Sequence, residues 1–254
     1  REVEEMLRDV GKTPLRVDRH GVTTAVEEVG DGVVPIVRTS AVTERGLTEL
    51  DQLFEALPKR ANDADGEFRM YIDRTYDVKG VGAVASGTIR SGTVETGDEL
   101  LIGPMPDGSF REVEVRSIEM HYHRVDTAKA GRIVGIALKG IDEEEIHRGM
   151  ALVPRDADPT PVRSFDAEIV VLNHPTSIRD GYEPVVHLET VSEAVVFHPE
   201  GGQLLPGDNG DATVEFKFQP YLVEEGQRFV FREGQSKGVG TVTGVDRVEG
   251  DRED

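Results

Sequence analysis

The sequence predicts a mainly β fold: a short α/β piece followed by two small β-barrels. Three observations carry that expectation. Glycines at 80, 82, 87, 92 and 97 punctuate the stretch from Tyr76 to Leu101, the spacing of bends and close backbone approaches in a small barrel. Short, alternating, β-branched segments recur between Phe68 and Val153 and again between Phe165 and Val245, with turn signals at roughly 8–15-residue spacing. Prolines at 154, 159 and 161 separate the two sets.

In chain order, Val3, Met6, Leu7 and Val10 recur at i, i+3, i+4 and i+7, so residues 1–10 read as an amphipathic helix. Gly11 suits the position just past its end, and Pro14 forbids its continuation. Val33–Val37 is a short strand. Leu47, Leu50, Phe54 and Leu57 then share one helical face, stopped by Pro58. Helix, strand and helix over residues 1–60 read as the last piece of an α/β domain, too little to be stable alone. A linker follows at 59–66. The first barrel is expected over 61–155, with strands such as Phe68–Ile72, Arg111–Ile118 and Ile133–Leu138. The second is expected over 162–250, with strands at Phe165–Leu172, Glu183–Leu188, Asp211–Phe218, Gln227–Phe231 and Gly238–Val245. In the Tyr76–Leu101 stretch Gly87 is read as breaking a strand that resumes at Thr88.

The composition narrows the class. The 254 residues include no cysteine, which removes disulfides, thiol nucleophiles and Cys-ligated metals. No apolar run approaches the ~20 residues that span a bilayer, and the charged start Arg1-Glu-Val-Glu-Glu5 is not a signal peptide; a cytoplasmic setting is expected. The formal net charge is −20, which argues against nucleic acid when taken alone. Yet only seven lysines stand against 22 arginines, and the acidic excess runs throughout, ending in Glu249–Asp254. That is the look of a protein from a salt-saturated cytosol, where bulk charge is screened within a few ångströms or so. Local clusters then say more than the total.

Several motifs dissolve on inspection. Gly11-Lys12-Thr13 resembles the tail of a phosphate loop, but position 6 is Met, a helix precedes and Pro14 follows. Asp18-Arg-His-Gly21 mimics a short metal-and-phosphate motif without its context. Gly80–Gly87 is followed by no helix, which excludes a dinucleotide loop. His121 and His123 are expected on one face of a strand, two metal ligands at most, with no third in view. No catalytic triad can be placed. Two clusters survive: Glu119–Arg124, extended by Lys129 and Arg132, and Arg228–Lys237. Each mixes cations with aromatics or histidine, a mixture that grips a phosphate backbone and stacks on an end nucleotide, or else forms a solvated strand face.

The order of motifs resembles translational GTPases of the elongation factor Tu / 1-alpha superfamily from the end of the G domain onward. Val34-Pro-Ile-Val-Arg-Thr-Ser-Ala41 with Gly46-Leu47 looks like the last guanine-binding motif and final G-domain helix. Val78–Thr88, Gly92, Gly97-Asp98-Glu-Leu100, Ile118–Met120 and Leu138–Met150 look like domain II. Phe165–Leu172, His174–Ser177, Phe231–Gly234 and Lys237–Val242 look like domain III. The pattern most resembles the archaeal and eukaryotic GTP-binding-protein branch, and the acidity fits a haloarchaeal member.

The resemblance implies a G-domain remnant followed by domains II and III. It implies that Thr39, Ser40 and Ala41 lie beside a guanine, with backbone N–H groups reading its oxygen. It places Glu119, Met120 and His121 at the aminoacyl end of tRNA, and Arg232, Glu233, Gly234 and Lys237 at the acceptor and T stems. Partners would be aminoacyl-tRNA or another RNA, the ribosome, and the missing amino-terminal G domain. GTP and Mg²⁺ would serve the full-length parent. The phosphate loop, both switches and Asn-Lys-x-Asp would lie upstream of Arg1, so this chain alone is expected to bind neither cofactor nor to hydrolyse GTP. The alternative is a stand-alone, non-catalytic RNA- or ribosome-binding module.

Overall fold

A computed structural model describes residues 2–9, 11–29, 32–57 and 63–245. The chain divides into two compact units, Arg1–Ala61 and Asn62–Asp254. The expected stop at Pro58, the first part of the 59–66 linker and the tail Glu249–Asp254 lie outside the described residues.

The amino-terminal unit contains α1 (Glu2–Asp9), β1 (Thr13–Arg16), α2 (Val17–His20), α3 (Val22–Glu27), β2 (Val33–Ile36) and α4 (Leu47–Ala56). β1 and β2 pair in parallel, Thr13 opposite Val33 and Arg16 opposite Ile36. Val17, Ala25 and Leu53 form the small core. Gly11 has a φ of +70° and donates its N–H to the Arg8 carbonyl at 3.0 Å, while Lys12 donates to Leu7 at 2.8 Å. Gly11 and Lys12 thus close the end of the helix, and Thr13 opens β1. Asp18–Gly21 is one helical turn, closed by the Gly21 N–H on the Val17 carbonyl at 2.9 Å.

Two features of this unit differ from expectation. β1 was not expected: it is a four-residue strand containing Pro14, too short to show alternation, and proline is tolerated where a strand has few neighbours. On α4 the buried residue is Leu53, and Phe54 is 63% exposed. The helical period alone did not select which side of that face meets the core.

The second unit is two closed antiparallel barrels in tandem. The first holds β3 (Arg69–Val78), β4 (Gly82–Ser91), β5 (Thr93–Glu95), β6 (Glu99–Gly103), β7 (Arg111–Met120), β8 (His123–Val125), β9 (Thr127–Lys129), β10 (Ile133–Lys139) and β11 (Ala151–Pro154). Six of them close a ring in the order β3-β4-β10-β7-β6-β11. β8 extends β7 as a hairpin, and β5 pairs with β9. Met70, Ile72, Ile89, Ile102, Ile118 and Ile136 point inward and are fully buried. β4 runs through Gly87 without a break, contrary to expectation, and the irregularity lies opposite, between Ile72 and Arg74. The glycine is needed for closeness rather than bending: a Cβ there would sit 2.0 Å from the Tyr71 carbonyl oxygen.

The second barrel holds β12 (Ser164–Asn173), β13 (Ile178–Arg179), β14 (Val185–Leu188), β15 (Val191–Pro199), β16 (Gln203–Leu204), β17 (Asn209–Phe216), β18 (Arg228–Glu233) and β19 (Ser236–Val245). The ring runs β12-β17-β15-β14-β18-β19. β15 was not among the expected strands, because Ser192-Glu193-Ala194 dilutes its alternation. Phenylalanines fill this core. Phe165 lies 5.5 Å from Phe216 and 5.6 Å from Phe229, and Phe197 lies 4.9 Å from Phe231, edge-on or tilted contacts worth ~0.5–1.5 kcal/mol each beyond area. Gly238 and Gly240 leave room for these rings; a Cβ at either would meet Phe231 or Phe229 at 2.2 or 2.3 Å.

The barrels share a seam. Tyr71, Ala151, Val153 and Leu222 form a separate apolar cluster. Gln227 donates to the Tyr71 hydroxyl at 2.8 Å. Arg69 pairs with Glu224, and Arg90 with Glu189 at 3.3 Å. Burial raises the Tyr71 pKa, so its hydroxyl keeps its proton.

Candidate nucleic-acid interface

The first barrel carries a groove on its outer wall. β7, β10, β4 and β3 lie side by side there, and their register decides what lines it. Glu119 on β7 stands opposite Gly135 on β10, which stands opposite Ser86 on β4. One step along, Ser117, Ala137, Val84 and Tyr76 form a second row. Small residues make the floor and larger ones the rim. The cleft holds about 410 Å³. Its rim includes Tyr76, Val78 and Ile133, which are 46%, 40% and 64% exposed. Apolar side chains gathered in the open on one face mark an interaction site more often than chance does.

The predicted residues of this region separate. Glu119 and His121 line the groove. Met120 does not: the period-two alternation of β7 turns it inward, where it packs against the barrel core. His121 and His123 do not share a strand face, because β7 ends at Met120 and β8 begins at His123. His121 and Tyr122 form the two-residue turn between them, Met120 pairing with His123. Their φ angles are +51° and +66°. Two left-handed residues in succession is the geometry of a tight hairpin turn, usually given to Asn-Gly. Tyr122 is fully exposed and lies at the groove's edge. Arg124 pairs with Glu119 across the hairpin. Lys129 ends β9, and Arg132 precedes Ile133; both are exposed.

On the second barrel, Arg232 and Glu233 end β18, Gly234 and Gln235 turn the chain, and Lys237 enters β19. Gly234 has a φ of +57°, which suits a Gly-X hairpin turn. Arg232 and Lys237 are directly paired across the hairpin. With Arg228 they are exposed, and no ion pair among the described residues involves these three cations. Like charges set opposite each other repel, so an anion placed against both would relieve a cost the fold otherwise bears. Beside them is His187 on β14, opposite Val230. Its Nε2 is buried without a hydrogen-bond partner among the described residues. Its pKa is held down by burial first, then by Arg232 and by Arg148 of the first barrel.

Thr39, Ser40 and Ala41 lie in the amino-terminal unit, on the loop after β2. The Ser40 N–H donates to the Arg45 carbonyl at 3.0 Å, and its hydroxyl accepts from the Thr43 N–H at 3.3 Å. Both bonds close the loop on itself. Among the described residues no His, Asp and Glu cluster is placed to hold a metal ion, and no helix is long and apolar enough to cross a membrane.

Sequence reasoning missed the groove's rim and His187. Ile133 reads as core at the start of a strand, and His187 is a lone histidine in an apolar run. Tyr122 stood inside the Glu119–Arg124 cluster, and its exposure is the signal that could have singled it out.

Comparison with known proteins agrees with this architecture. Residues 82–153 match the family Elongation factor Tu domain 2, and residues 158–246 match Elongation factor Tu C-terminal domain. The two barrels thus belong to the Elongation factor Tu domain 2 and Elongation factor Tu C-terminal domain families. The chain is 34% identical over 249 residues to GTP-binding protein 1 of Xenopus laevis, covering 95% of this chain and 38% of that protein. It is 32% identical over 261 residues to GTP-binding protein 2 of Mus musculus and of Homo sapiens, covering 98% of this chain and 43% of theirs. The chain thus spans about two fifths of the length of the curated relatives it matches.

Proposed function

We propose that the two barrels hold the single-stranded 3′ end of an aminoacyl-tRNA, or of an RNA ending in the same way, for a GTP-driven translation factor. The observation that carries this reading is the outer groove, with its apolar rim, small floor and acceptor Glu119. An unpaired base needs an apolar slot for its faces and a polar group for its edge. The unpaired cations Arg228, Arg232 and Lys237 supply the phosphate contacts that position a duplex stem. In a longer parent protein GTP and Mg²⁺ would act on a G domain whose last portion would be residues 1–60, and nucleotide exchange would reorient that domain against the barrels. The ribosome is the expected site of action. The acidic composition supports a salt-rich archaeal cytosol as its setting.

Filter binding with charged tRNA tests the reading. Arg232→Ala and Lys237→Ala should each weaken binding about equally for all tRNA sequences and flatten the salt dependence by about one unit of slope. No binding at any salt concentration would remove the function. The closed, separately filled cores of the barrels favour a second reading, a non-catalytic RNA module that works without GTP. A coding sequence for GxxxxGK[ST] and Asn-Lys-x-Asp in frame upstream argues for the first reading, and a stop codon there for the second.

A further inference from the structure

We propose that Tyr122 is a binding residue of the groove, whose ring stacks on the outer face of the terminal unpaired base seated there. This rests on the function proposed above and adds a residue and a role to it. Three observations carry it. Tyr122 is fully exposed, so its ring contributes nothing to the barrel core. Its backbone is held left-handed at +66°, directly after His121 at +51°, a conformation that costs an L-residue with a side chain and clusters at sites of function. Asparagine and glycine would make the same turn without that cost. It also borders the groove together with Glu119, Ile133 and Val84. An exposed aromatic on a conformationally costly turn beside an apolar slot lacks only a flat apolar partner.

The occupant is a nucleobase rather than a protein side chain, on grounds of complementarity. Glu119 and the hydroxyls of Ser86 and Ser117 present acceptors at the groove, which suit the exocyclic amino group of adenine or cytosine. Exposed Arg124 stands across the hairpin from Glu119, within the same local cluster that would meet the phosphate on the 5′ side of that nucleotide. Stacking on the ring is indifferent to sequence, since every base has a π-face. Selectivity comes instead from the need for an unpaired end that reaches the turn.

The test uses the full 254-residue chain and an RNA hairpin with a single-stranded 3′ overhang ending in 8-vinyladenine, a fluorescent adenine that keeps its 6-amino group. Binding of the wild-type chain should quench the fluorophore. Tyr122→Ala and Tyr122→Gly should lower affinity by about tenfold or more and restore the fluorescence, while Tyr122→Phe keeps both. Glycine occupies the left-handed region at little cost, so Tyr122→Gly should melt at the same temperature as wild type or higher. That result separates lost stacking from a damaged fold. Wild-type affinity and quenching in both Tyr122→Ala and Tyr122→Gly, with binding abolished by Gly135→Val, would overturn the role of Tyr122 and leave the groove standing. An RNA that fails to bind the wild-type chain would overturn both. A dimer that dissociates in Tyr122→Ala would assign the ring to a contact between copies and overturn the proposal.

Discussion

Gly135→Val fills the floor of the groove while leaving the barrel's inner face untouched. Gly135 is in register with Glu119 and Ser86, on the outward side of β10. A Cβ at this position would meet only the Val84 Cγ1, at 3.4 Å, the edge of ordinary contact and the end of a side chain that can give. Replacing a strand glycine removes an entropic penalty of about 0.5–1 kcal/mol, and a β-branched residue adds up to ~1 kcal/mol of strand preference. Against that stands the small displacement of Val84. The net effect on stability is about 0 to +1 kcal/mol, or a melting temperature raised by at most ~4 °C in a unit of this size. The valine methyls occupy the space between Glu119 and Ser86 where a base would lie. Losing one stacked base costs ~1–3 kcal/mol, which is about 5- to 150-fold in affinity. Circular-dichroism melts measure the first quantity, and fluorescence anisotropy with an RNA bearing a single-stranded 3′ end measures the second. The signature is a fold at least as stable as wild type with binding lost. Affinity within twofold of wild type, in a protein that melts normally, would refute the groove as the base site.

Two further outcomes follow from the second barrel and the seam. His187 is held below its ordinary pKa of 6.5, first by burial and then by Arg232 and Arg148. Its unfolded form therefore takes up a proton at higher pH than its folded form, so stability is full above about pH 6.5 and is lost as pH falls towards the folded pKa. Urea midpoints measured from pH 7.5 to 5 should fall on acidification, and His187→Gln should flatten that fall; an unchanged slope refutes the assignment. Tyr71→Phe removes the acceptor for Gln227 in the seam. It should cost about 1 kcal/mol and lower the melting temperature by a few degrees, and an unaltered melt would show that water replaces the bond.

Much of the fold was legible because its signals are local. Alternation over Arg111–Ile118 or Phe165–Leu172 reports a half-buried strand without knowledge of its neighbours. The turn glycines and the prolines after Val153 mark where one set of strands stops. Failures came where a local signal had two meanings. Gly87 could break a strand or admit the backbone of Tyr71, and only the pairing with β3 tells which. His121-Tyr122-His123 could continue β7 or turn away from it, and the apolar content of the segment does not distinguish them. On α4 the period was right, but burial fell on Leu53 rather than Phe54, because what packs against a helix is not written in the helix.

By itself, the sequence determined the class of this protein: strand-forming segments in an order and spacing that two small barrels satisfy, and two clusters of chemistry on them. Tertiary structure alone decided the site. Ser86, Glu119 and Gly135 are far apart along the chain and become neighbours only through strand register, and a shift of one residue would turn Glu119 inward and Met120 out. Register is set by which faces bury together across the closed ring, a property of all six strands at once.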